Sequence, residues 1–89
     1  MVLIREPAVA GSFYPSDPDE LRAAIQTLLD GAEILPGPAP RALIVPHAGY
    51  IYSGSVAASA YAQLLPYRSL YRRVVLLGPA HRVPVSGLA

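Results

Sequence analysis

The chain contains two histidines, and each of them follows an apolar run and a proline. His47 comes after the apolar residues 42–45, and His81 comes after the apolar residues 74–77. Imidazole nitrogens bind transition metals, and they also exchange protons near neutral pH. The matching placement indicates one shared site, and two unrelated loop histidines are the alternative.

The two apolar runs are predicted to be strands. Neither 42–45 nor 74–77 alternates apolar with polar residues, which is typical of a parallel sheet that is covered on both faces. Between them a helix is predicted from about 55 to 65, with Ser53 or Ser55 as its cap and a proline after it. Strand, helix and strand make a βαβ unit with a right-handed crossover, so the expected fold class is α/β with parallel strands.

Both histidines would lie at the carboxyl ends of these strands, where open α/β sheets bind ligands. Adjacent strands are about 4.8 Å apart, and two imidazoles on one metal need their nitrogens within roughly 4 Å of each other. Neighbouring strands satisfy that requirement. Two histidines and one carboxylate are the ligands that non-heme Fe(II) uses, and the sequence offers no obvious third ligand.

A first helix is predicted by its capping signals. Asp17 precedes Pro18 at the first helical position and Glu20 at the third, and apolar residues then recur at helical spacing as far as Gly31. This helix is assigned to packing, and the carboxylates of its first turn are interpreted as caps rather than metal ligands. Residues 31–40, rich in proline and glycine, are predicted to be a surface connection.

Two pairs of aromatic residues are candidates for the pocket of the expected site. In an extended segment Phe13 and Tyr14 point to opposite sides, so one of them enters a core or pocket. Tyr50 and Tyr52 would share one side of an extended turn, and Tyr52 is preferred as the pocket residue that hydrogen-bonds or protonates a ligand. Aromatic packing beneath the helix is the alternative for each of them.

The composition narrows the functional class. The 89 residues are 53% hydrophobic and 15% charged, with a net charge of +1 and no cysteine. This balance is too apolar for disorder, and the apolar runs are too short to span a membrane. The basic residues form no long run, so neither nucleic acid nor a membrane is an expected partner. The N-terminus lacks the apolar core of a secretory signal, which makes a cytoplasmic location the default expectation.

Three motifs together are specific enough to identify a family resemblance: AVAGSFYP at 8–15, IVPHAGYIYSG at 44–54 and VVLLGPAHRVPVSG at 74–87. They resemble the Memo family, also named AmmeMemoRadiSam system protein B. The resemblance covers nearly the whole chain, and it implies a fold like that of class III extradiol, non-heme iron dioxygenases.

The resemblance also implies roles for individual residues. His47 and His81 match two histidines of the family's metal site, and Phe13 and Tyr52 match aromatic positions that line the same pocket. Phe13 stands where some relatives have Trp, and Ala80 stands where many have Ser. Family members are longer, and their remaining pocket residues, including a further His and a Cys, come from the part absent here. Residues 1–89 are therefore expected to be the N-terminal third of a single Memo-like α/β domain.

Three functions remain open on these grounds. The first is a metal-dependent redox protein that uses Fe(II) or Cu to act on a small molecule. The second is a non-catalytic module that binds a peptide or protein in the same pocket, such as a radical S-adenosylmethionine system partner. The third is a structural fragment without activity alone. In each case the exposed sheet edge and apolar helix faces should be covered by the missing remainder or by another chain.

Overall fold

The computed structural model describes residues 3–81 and residue 86. Two α-helices lie within that part of the chain, α1 (Pro18–Asp30) and α2 (Tyr50–Tyr61), and a 3₁₀ helix (Ala62–Tyr67) continues directly from α2. Helices α1 and α2 pack against each other. Neither of them combines the length and the apolar character that a helix needs to cross a membrane.

Helix α1 begins and ends where the sequence predicts. The carboxylate of Asp17 accepts a hydrogen bond from the backbone N–H of Glu20 at 3.0 Å, and Pro18 occupies the first helical position. At the other end, the N–H of Gly31 donates to the carbonyl of Thr27 at 3.1 Å. These local bonds satisfy backbone groups that a helix end leaves without partners, so the predicted helix is confirmed.

Helix α2 begins five residues before the predicted start at residue 55 and ends at Tyr61. Gly49 is its N-cap residue, with an extended ψ of 155°. Ser53, predicted as a cap, lies within the helix, and its hydroxyl donates to the carbonyl of Ala48 at 2.9 Å. Pro66 lies within the 3₁₀ helix. Because proline has no N–H, it cannot continue an α-helical bond pattern there.

The contact between the two helices depends on small residues of α2. Ser53, Gly54 and Ala58 are buried on this helix. A Cβ atom on Gly54 would lie 3.1 Å from the Cδ1 atom of Leu28 on α1, which is tighter than ordinary van der Waals contact. The absence of a side chain at Gly54 therefore lets α1 and α2 approach closely.

The two segments that were predicted to be strands are irregular in this structure, being neither strand nor helix. Residues 42–45 and 74–77 form no ladder within the described part of the chain. Their side chains are largely uncovered: Ile44 is 99% exposed, and the residues of 74–77 are 82 to 85% exposed. Strands that are apolar on both faces need covering layers on both sides. The parallel pairing, and with it the α/β fold, therefore stays a prediction.

The chain buries less surface than a compact domain of its size. Its accessible surface is 8243 Å², whereas a folded monomer of 9.4 kDa exposes about 5000 Å². Its radius of gyration is 15.0 Å, against about 12 Å for a compact domain of 89 residues. Large apolar side chains contribute to the excess, among them Ile44 and the residues of 74–77.

Candidate metal centre

The side chains of His47 and His81 meet, although 34 residues separate them in the sequence. Their Nε2 atoms are 3.0 Å apart, and their ring planes are inclined by 23° with centroids 5.1 Å apart. Both side chains are exposed. The structure thus brings the two histidines together, as their placement in the sequence predicts, and their role as metal ligands stays a prediction.

The separation of the Nε2 atoms fits two ligands of one metal ion. Imidazole nitrogens bind zinc at about 2.0 to 2.1 Å, and similar bonds at a right angle would place two nitrogens about 3.0 Å apart. The observed distance is 3.0 Å. The same distance also suits a hydrogen bond in which one neutral imidazole donates to the other.

The described residues bring together two imidazoles, and two imidazoles alone do not make a complete metal site. Among residues 3–81 and 86, no group of three or more His, Cys, Asp or Glu side chains lies close enough to hold an ion. A facial iron site needs a carboxylate beside its two histidines. An iron site of that kind would therefore need a further ligand beyond these two histidines.

A tight turn positions Phe13 beside the start of α2. The N–H of Phe13 donates to the carbonyl of Val9 at 2.9 Å, and the N–H of Gly11 donates to the carbonyl of Tyr14 at 2.7 Å. Gly11 has a φ of +86°, a backbone conformation that residues other than glycine adopt only with strain. The carbonyl of Phe13 accepts a hydrogen bond from the N–H of Tyr50 at 2.8 Å. The turn is thereby attached to the first residue of α2, three residues after the first histidine.

An open cavity of about 1110 Å³ lies beside His47. Helices α1 and α2 line it, together with the N-terminal turn and parts of the segments that lead to the two histidines. Phe13 is one of its lining residues and is 44% exposed. Most of the described lining side chains are apolar, so the cavity suits an apolar or aromatic ligand better than a highly charged one.

Tyr50, rather than Tyr52, lines this cavity. Tyr52 is 83% exposed and is not among the described lining residues. The expectation that both tyrosines share one side is wrong, because both lie in α2, where residues two positions apart point to nearly opposite sides. Tyr14 also lines the cavity, and its ring centroid is 5.9 Å from that of Tyr50. Had the N-cap of α2 been placed at Gly49 from the sequence, Tyr50 and Tyr52 would have been put on different sides of the helix.

The family profile described as "Memo-like protein" matches residues 5–89. "Protein MEMO1" of Danio rerio is 47% identical over 88 residues, which are 99% of this chain and 29% of that protein. "MEMO1 family protein" of Aquifex aeolicus is 49% identical over 78 residues, 88% of this chain and 27% of that protein. "Protein MEMO1" of Homo sapiens is 46% identical over 88 residues, 99% of this chain and 29% of that protein.

This chain belongs to the Memo-like family. It spans less than a third of the length of the curated relatives it matches, since the aligned residues cover 27 to 29% of them. No solved structure matches it significantly. The predicted family membership is therefore confirmed by sequence, and the activity of the whole protein is a separate question.

Proposed function

We propose that this chain contributes His47 and His81 to a centre that binds a redox-active metal ion, Fe(II) or Cu. The observation that carries the proposal is the 3.0 Å separation of the two Nε2 atoms. Imidazole is a suitable ligand for both iron and copper. Either ion, when bound, supplies one-electron chemistry toward oxygen or a small organic molecule.

The residues of the chain have distinct parts in this proposal. His47 and His81 bind through neutral Nε2 atoms, so both must lose any proton on those atoms before binding. Phe13 forms an apolar wall of the adjacent cavity and excludes water from part of it. We assign to Tyr50 the role predicted for Tyr52, because its phenol lies in the lining and can hydrogen-bond a small-molecule ligand.

The proposed fold places this centre at the edge of a parallel sheet. The uncovered apolar runs 42–45 and 74–77 become neighbouring strands when further protein covers them, as in the dioxygenase-like α/β domain that the sequence resembles. Residues 1–89 then form the N-terminal part of one such domain. The relatives' greater length supports this arrangement, because it leaves most of a domain to supply the covering layers and a further ligand.

A second candidate function is the binding of a peptide or protein segment without turnover. A cavity of about 1110 Å³ is larger than most small-molecule pockets, which occupy about 300 to 1000 Å³. Exposed apolar side chains of 74–77 extend from the same region. Consumption of oxygen with a small aromatic substrate would decide for the redox function, and metal-independent binding of an apolar peptide would decide for the second.

The metal proposal is tested by titrating the full chain with Fe(II) under anaerobic conditions and, separately, with Cu(II). The informative variant is the His47→Ala, His81→Ala double substitution, and Ile51→Ala, at a side chain that is 92% exposed, is the control. We expect the intact chain and the control to bind one ion with equal affinity and the double variant to lose binding. Absence of binding by the intact chain, or equal binding by the double variant, would overturn the proposal.

A further inference from the structure

Tyr71 joins the starts of the two segments that carry the histidines. Its hydroxyl donates a hydrogen bond to the carbonyl of Pro40 at 2.6 Å. Residues 41–47 continue from that carbonyl to the first histidine, and residues 72–81 continue from Tyr71 itself to the second. The side chain of Tyr71 is partly buried, so this bond is shielded in part from competing water.

The two segments are therefore connected at both ends. Tyr71 joins Pro40 at one end, and the Nε2 atoms of His47 and His81 lie 3.0 Å apart at the other. Between these contacts, the described residues of the two segments form no hydrogen bond with each other. Since no ladder sets their register, the bond of Tyr71 has a large share in determining which parts of the segments face each other.

We propose that Tyr71 is a positioning residue for the histidine pair. Without its bond, the shortest remaining hydrogen-bonded route between His47 and His81 runs through Tyr67 and Gly37. The route through Tyr71 and Pro40 is about 0.7 times as long. Shortening a flexible loop by that factor favours closure a little less than twofold. The inference rests on the proposed metal site for its functional meaning, although the positioning itself does not need a metal.

Tyr67 provides a matched control for this effect. Its hydroxyl also donates to a backbone carbonyl at 2.6 Å, in this case that of Gly37, although this bond is more exposed than that of Tyr71. Gly37 lies farther from the first histidine, and Tyr67 lies within the 3₁₀ helix rather than at the start of a histidine segment. Tyr→Phe at either position removes one hydroxyl and keeps the ring, so each variant loses one bond to a backbone carbonyl and keeps its aromatic packing.

The test compares the full chain with its Tyr71→Phe and Tyr67→Phe variants. The first measurement is the nuclear Overhauser effect between the ring protons of His47 and His81 in metal-free protein, which reports their proximity directly. The second is the dissociation constant for Cu(II). We expect Tyr71→Phe to weaken the ring-to-ring effect and to raise the dissociation constant about twofold, whereas Tyr67→Phe leaves both at the level of the unsubstituted chain.

The two readouts separate the failure of this inference from the failure of the metal proposal. An unsubstituted chain that shows the ring-to-ring effect and binds no metal would overturn the proposed function alone. A Tyr71→Phe chain with an unweakened effect, or a Tyr67→Phe chain with an equal loss, would overturn the positioning role. If Tyr71→Phe does not fold, the unsubstituted chain is heated instead, and two signals are followed: solvent exchange of the Tyr71 hydroxyl proton and the ring-to-ring effect of the histidines. A ring-to-ring effect that persists after the hydroxyl proton begins to exchange would contradict the positioning role.

Discussion

The backbone N–H of Tyr50 donates a hydrogen bond to the carbonyl oxygen of Phe13 at 2.8 Å. This bond satisfies the first N–H of helix α2, which has no partner within the helix. It also holds the N-terminal turn against the residues that follow His47. This long-range backbone bond thus joins the first residue of α2 to the turn that carries Phe13, and both residues line the cavity.

We predict that Gly11→Ala destabilises the chain by about 1 to 2 kcal/mol in free energy of unfolding. Gly11 has a φ of +86° in the turn that carries Phe13, and a Cβ atom is strained in that conformation. Gly78→Ala is the control, since no atom lies within 4 Å of the position its Cβ would take and its φ is not positive. Urea unfolding measures both, and equal effects would contradict the role of Gly11.

Local signals explain which parts of the structure the sequence could predict. Helix α1 was predictable because Asp17, Pro18 and Gly31 act on backbone groups within a few residues of themselves. The start of α2 was not, because the N–H of Tyr50 finds its partner in Phe13, which lies far away in the sequence. The misplaced start also led to the expectation that Tyr50 and Tyr52 share one side, since helical and extended backbones orient neighbouring side chains differently.

The proximity of the histidines was predictable for a different reason. His47 and His81 follow two successive apolar runs that are predicted to be strands, and successive strands tend to be neighbours in a sheet. The described chain brings the two rings together without a sheet ladder, so the hydrogen bond from Tyr71 to Pro40 has a part that no strand pattern indicates. A side-chain bond between residues this far apart in the sequence has no local sequence signature, so it must be seen in a structure.

Gln63→Ala is expected to lower the free energy of unfolding by about 0.5 to 1.5 kcal/mol. The amide of Gln63 donates to the carbonyl of Glu33 at 2.8 Å and accepts from the N–H of Leu35 at 2.9 Å, so its loss leaves two groups of the connection without these partners. Gln26→Ala removes an exposed bond to Asp30 within α1 and should cost less than about 0.5 kcal/mol. Thermal unfolding followed by circular dichroism compares the stabilities of the two variants. A larger loss of stability in Gln26→Ala would contradict the stabilising role of Gln63.

Gly54→Val is predicted to destabilise the contact between α1 and α2 by about 1 to 3 kcal/mol. Even a Cβ atom at this position would lie 3.1 Å from Leu28, and the branched side chain adds volume to a contact that has little room. Because the clash is with one side chain, Leu28→Ala should relieve part of it. A double-mutant cycle measured by urea unfolding should therefore show a favourable coupling energy, and strictly additive effects would locate the strain elsewhere.

Binding of Cu(II) by the full chain is expected to release protons and to weaken as the pH falls. Only an unprotonated Nε2 atom can bind the ion, so protons compete with it at both His47 and His81, and acid favours the metal-free form. Calorimetric titration at one pH in buffers of different ionisation enthalpy measures the number of protons released. The His47→Ala and His81→Ala single variants should each release fewer protons and bind more weakly, because each keeps one of the two imidazoles. Affinity that is independent of pH between about 5 and 8 would show that groups other than the two imidazoles hold the ion.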